Sequence, residues 1–120
     1  MPSTAPLRLH LGGGEPREGW KIVNVQPLPS VDFVANVMDL SQFWDGTVAE
    51  VYASHVYEHL GYQAQLPTAL SEAFRVLAPG GRLRAGVPDL DVLCRFILNP
   101  ALTFDERFHV QRMMFGGQMD

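Results

Sequence analysis

Three stretches of the chain combine residue types and spacings that can do chemistry. Residues 7–14, LRLHLGGG, run an alternating apolar segment into three glycines. A strand that ends in glycine lays main-chain N–H groups along a sheet edge, where ligands of open α/β sheets bind, and lets a ligand approach the backbone. The same residues also suit a plain tight turn. The dinucleotide pattern G-x-G-x-x-G fails at Arg17, and no G-K-[ST] follows to make a phosphate loop. Residues 49–60, AEVYASHVYEHL, contain His55, Glu58 and His59 in the spacing H-x-x-E-H. In a zinc hydrolase two such histidines hold metal and the glutamate acts as base. Here Gly61 follows within two residues, too soon for the long helix that motif requires. The competing assignment has one histidine facing a cleft and the other bonded to local backbone. The third stretch ends in Val87-Pro88-Asp89, where Asp89 and Asp91 stand just past a strand. They can face a ligand or cap the next helix.

These residues need elements to position them. Alternation predicts a strand at Leu7–Leu11, and β-branched or apolar runs predict strands at residues 22–25, 33–37, 48–53 and 83–87. Residues 55–61 read as a short helical turn. The clearest helix places Leu66, Ala69, Leu70, Ala73, Phe74 and Leu77 on one face, with Pro67 in its first turn and Pro79-Gly80-Gly81 as its stop. Asp89 suits the cap of a helix ending at Asn99-Pro100. Thr103 suits the cap of a last helix closed by Gly116-Gly117. Strands alternating with helices predict an α/β fold with a mostly parallel sheet. The first crossover fits poorly: only residues 12–21 join strands one and two, fewer than a helical crossover takes. Cys94 is expected buried and inert. Trp20 and Trp44 are expected to pack, and Met113-Met114-Phe115 to lie in the core or an interface.

The 120 residues predict one domain, residues 7–120, behind a loose tail at 1–6. With 47% hydrophobic and 18% charged residues the composition excludes disorder and low-complexity scaffolds. No apolar run reaches membrane-helix length, and no secretory signal opens the chain. One cysteine excludes an internal disulfide framework. The expected compartment is the cytoplasm. A net charge of −4 argues against sequence-independent nucleic-acid binding.

Taken together the stretches resemble the class I S-adenosylmethionine-dependent methyltransferases. The resemblance is to a small subfamily with L-x-L-G-x-G (Leu9–Gly14), G-W-x-x-V (Gly19–Val23), S-H-V-x-E-H-L (Ser54–Leu60), R-V-L-x-P-G-G-x-L-R (Arg75–Arg84) and V-P-D-L (Val87–Leu90). It covers roughly residues 7–98. It implies a Rossmann-like open parallel sheet of about five strands, the class I methyltransferase core without its last two strands. It implies S-adenosylmethionine held by Gly12, Gly13 and Gly14, by His10 two residues before the first glycine, by Asp39 and Leu40 after strand three, and by Ser54 and His55 after strand four. His59 and Asp89 fall on the substrate side, with His59 the candidate base.

Two departures stand out. The family places an acidic residue at the end of strand two to grip both ribose hydroxyls, and the resemblance puts Gln26 there. An amide forgoes charge-assisted bonds worth about 1.5–3 kcal/mol each. The family sheet also has seven strands against five here, so the chain is a fragment or lacks the family's C-terminal part. An unprotected strand five then predicts a homo-oligomer. The expected activity is methyl transfer to a small-molecule or glycan-precursor acceptor, with no nucleic-acid or membrane partner. The alternatives are a degenerate, non-catalytic interaction module and, behind it, a metal hydrolase using residues 55–59.

Overall fold

The structure is a computed structural model and describes residues 6–114. Five strands, β1 (Leu7–Leu11), β2 (Lys21–Asn24), β3 (Phe33–Val34), β4 (Val48–Ser54) and β5 (Leu77–Gly86), form one sheet in the order β3-β2-β1-β4-β5. Every pairing is parallel. Three helices, α1 (Gln65–Val76), α2 (Leu90–Ile97) and α3 (Phe104–Met114), complete an α/β, Rossmann-like fold, as expected from the alternation of elements. Residues 1–5 of the expected tail at 1–6, and the closing Phe115, Gly116 and Gly117, lie outside the described residues.

One sheet face carries the core. Leu9, Leu11, Val23, Val48, Val51 and Ala53 point to it and are buried against Leu40, Phe43, Ala69 and Val76. Alternation sends Arg8, His10, Glu50, Tyr52 and Arg84 to the opposite face. The β1–β2 connection contains no helix, so the crossover is a loop, and nothing helical from it covers that second face.

Several boundaries differ from those the sequence predicts. β2 stops at Asn24 rather than running through Val25, because the Asn24 side chain accepts the Gln26 N–H at 3.0 Å and turns the chain. β3 is two residues, not five. α1 ends at Val76, short of Pro79-Gly80-Gly81. Its last carbonyls, Arg75 O and Val76 O, are taken by Gly46 N and Thr47 N at 2.9 and 2.8 Å, and Leu77 already pairs with Val48 in the sheet. The Pro-Gly-Gly segment instead forms the irregularity in β5, where the register jumps from Val48↔Leu77 to Glu50↔Arg82. The buried face of α1 is made by Ala69, Ala73 and Val76, while Phe74 is 82% exposed. Trp44 is equally exposed, and Cys94 is only partly buried. The two later helices are capped as their sequences predict. Asp89 accepts from Asp91 N and Val92 N, and Thr103 and Glu106 exchange reciprocal main-chain bonds as a capping box.

Candidate active site

The strand order reverses between β1 and β4, since the chain leaves β1 toward β2 on one side and leaves β4 toward β5 on the other. The crevice past the C-terminal ends of these two strands is the switch point of an open α/β sheet. The glycine loop occupies one wall and residues 54–59 the other. Gly12 joins them: a Cβ there would meet Val56 Cγ2 at 2.7 Å, and its φ of +73° is left-handed.

The loop is tied down from β2. Gly12 N donates to Val23 O at 2.7 Å, Asn24 Nδ2 donates to Gly13 O at 3.0 Å, and Ser30 Oγ donates to Gly14 O at 2.6 Å. A Cβ at Gly13 would meet the His10 ring at 2.6 Å, whereas one at Gly14 would enter open space. Gly14 is therefore bare without packing need, as a backbone open to a close-lying ligand requires.

On the other wall β4 ends at Ser54, and His55 takes a left-handed φ of +57° with its N–H donating to Gly86 O at 2.8 Å. A 3-10 turn at Tyr57–His59 follows. It brings His55 Nδ1 to 3.2 Å and His59 Nε2 to 3.9 Å from Glu58 Oε2. Tyr57 Oη and Glu58 Oε1 are buried with no hydrogen-bond partner, and burial pushes the Tyr57 phenol pKa up. Both residues line a cavity of about 240 Å³ with Leu66, Val87, Pro88 and Leu93. Among the described residues no group of three or more His, Cys, Asp or Glu is arranged to hold a metal ion.

Other sequence-predicted residues lie differently. Gln26 stands two residues past β2 and is exposed, and Asn24 is the last residue of the strand. His10 points onto the open sheet face beside Tyr52, with ring centroids 5.1 Å apart. Burial, then the charge of Arg17, holds its pKa below the ordinary imidazole value. Asp39 accepts from Ser41 N at 3.1 Å, and hydrogen bonding with Ser41 lowers its pKa. Leu40 is fully buried and gives its N–H to Glu72 Oε2 at 2.7 Å. Asp89 is occupied as the α2 cap. Asn24, whose side chain holds the glycine loop, is the residue that sequence reading passed over; the signal was its turn-forming side chain two residues before Gln26. Glu58, read from the sequence as the middle of H-x-x-E-H, stands between the two histidines.

The cofactor that the resemblance implies fits these residues in one respect. The open space over Gly14, fixed between β2 and the β4 turn, can admit a ligand against the main chain. No carboxylate ends β2 to grip a ribose.

Comparison with known proteins gives a direct result. A family model described as "Methyltransferase domain" matches residues 18–85, from just after the glycine loop through β5. No curated protein matches the chain. The match spans more than half of the sequence, so the chain belongs to the methyltransferase domain family.

Proposed function

We propose that this protein transfers a methyl group from S-adenosylmethionine to a small-molecule or glycan-precursor acceptor. The observation that carries this reading is the glycine loop at the β1/β4 switch point of a sheet whose segment 18–85 is a methyltransferase domain. When bound, the cofactor supplies an activated methyl group on a good leaving group, so the protein's task is alignment and exclusion of water. Gly12, Gly13 and Gly14 offer main chain to the cofactor, with Asn24 in place of the family's acid and Ser54 and His55 at the opposite wall. Asp39 and Leu40 belong to the adenine side in this reading, His10 and Gln26 to the margin of the site, and Asp89 to the substrate side through its capped loop.

The cavity beside Tyr57 and Glu58 is the acceptor side. Its size suits a small acceptor group. A hydroxyl or amine there must lose a proton as the methyl arrives. His59, on the same turn and 3.9 Å from the cavity-lining Glu58 Oε2, is the base that receives it. The protein acts as a homo-oligomer in the cytoplasm, without nucleic-acid or membrane partners. No helix among the described residues is long and apolar enough to cross a membrane.

The missing carboxylate at Asn24 favours a second reading, a non-catalytic module on the same fold. Calorimetric titration with S-adenosylhomocysteine separates the two. Micromolar binding that Gly12→Val abolishes supports the enzyme. Absence of binding at millimolar ligand supports the module.

A further inference from the structure

All-parallel sheets are nearly always covered on both faces. Here the face opposite the core is not apolar, and what lines it is unusual for a surface awaiting a helix. Tyr52 of β4 lies at its centre. The His10 ring is 5.1 Å from it, the Trp20 ring stands edge-on at 6.3 Å, and the Arg84 guanidinium lies 5.7 Å from the Tyr52 ring centroid. Arg8 sits 5.9 Å from the Trp20 ring, and its Nε is buried without a hydrogen-bond partner. Glu50 lies 3.8 Å from both Arg8 and Arg84, too long for a tight pair with either. Beside these groups opens a cavity of about 420 Å³, walled by His10, Glu15, Arg17, Trp20, Tyr52 and Arg84. A chain with net charge −4 thus gathers arginines around an aromatic floor.

We propose that this open sheet face is a binding site for a ring-bearing anion of sugar-phosphate or nucleotide size. The ring lies against Tyr52 and Trp20, and the anion is held by Arg17 and Arg84. Aromatic faces accept sugar and base rings alike. Guanidinium groups with unspent donors match phosphate oxygens in fork geometry. The volume falls in the range of small-molecule sites. The site lies on the sheet face, one residue short of the end of β1 at His10 and two short of the end of β4 at Tyr52, and shares only His10 with the margin of the proposed cofactor site.

The experiment is an NMR titration of the whole chain with glucose 1-phosphate and with uridine monophosphate. Glucose, uridine and inorganic phosphate serve as comparison ligands. Saturable shifts at Trp20, Tyr52 and Arg84 are expected with at least one ester, which identifies the ring class. Affinity should exceed that for inorganic phosphate or the uncharged ring by about tenfold or more. Arg84→Ala and Arg17→Ala each weaken it by about tenfold, and Arg95→Ala, on the remote surface of α2, leaves it unchanged. The His10 titration midpoint rises on binding. The bound anion offsets the Arg17 charge that, with burial, lowers it; Glu15 and Arg84 face the same cavity. Absence of shifts with both esters overturns the proposal, as does equal binding of inorganic phosphate. Shifts indifferent to both arginine variants overturn it too, as does burial of Tyr52 and Trp20 by a second copy at rising protein concentration.

Discussion

The guanidinium of Arg75 donates to the main-chain carbonyl of Leu40 at 2.9 Å, across 35 positions of sequence. The same side chain reaches Phe43 O at 3.0 Å and pairs with Glu72 and Asp45. Glu72 in turn accepts Leu40 N. One planar fork on α1 thus sets the path of the loop after β3, and Glu72 and Asp45 raise the Arg75 pKa further above its already high ordinary value. Lysine cannot reproduce that geometry. Arg75→Lys should therefore lower the melting temperature nearly as much as Arg75→Ala, and both by more than Arg95→Ala, whose exposed pair with Asp91 is isolated. Thermal melts of the three variants check this.

Glu72 gives a pH dependence of known sign. Hydrogen bonding from Arg75, chiefly, depresses its pKa below the ordinary 4.5. A depressed carboxylate stabilises the fold above its unfolded value, and that contribution disappears as pH falls through the folded value. Wild type should be more stable than Glu72→Gln at neutral pH, and the gap should shrink as pH falls below the ordinary 4.5 and disappear as it passes through the lower folded value. Urea melts of both proteins across that range measure it.

The glycine loop separates fold from ligand binding. Gly12→Ala meets both a left-handed φ and Val56, so it should cost about 1–2 kcal/mol from the backbone alone. Gly14→Ala enters open space and should leave the melting temperature within error. If the loop cradles a cofactor, Gly14→Ala nonetheless weakens S-adenosylhomocysteine binding by about tenfold. Calorimetry beside a thermal melt distinguishes the two effects.

Asn24 and Gln26 offer a test of where the ribose is held. Asn24→Asp places a carboxylate at the true end of β2. It loses the bond from Nδ2 to Gly13 O, so stability should fall slightly. Affinity for S-adenosylhomocysteine should rise about tenfold through charge-assisted bonds. Gln26→Glu should change neither quantity. Equal gains from both variants would place the ribose elsewhere.

Self-association is a prediction drawn from the sheet edge. β5 has no strand partner on its outer side among the described residues. α3 packs on α2 rather than along β5, while Phe96, Leu98, Phe104 and Phe108 of this helical hairpin and its connection remain exposed. A dimer or larger species is expected in sedimentation at micromolar concentration. A monomer there would contradict it.

The sequence by itself determined the α/β class, four of the five strand cores, and the cap at Thr103. These follow from alternation, periodicity and turn chemistry within a few residues. Only the tertiary structure decided which residue ends β2, because an Asx turn at Asn24 outweighs the apolar run that continues through Val25. It also decided that α1 stops before its Pro-Gly-Gly, because Leu77 pairs with Val48 and the helix's last carbonyls go to Gly46 and Thr47. The convergence of His10, Trp20, Tyr52 and Arg84 was equally out of reach. Each belongs to a different stretch of chain, and only the order and register of the parallel sheet set them side by side.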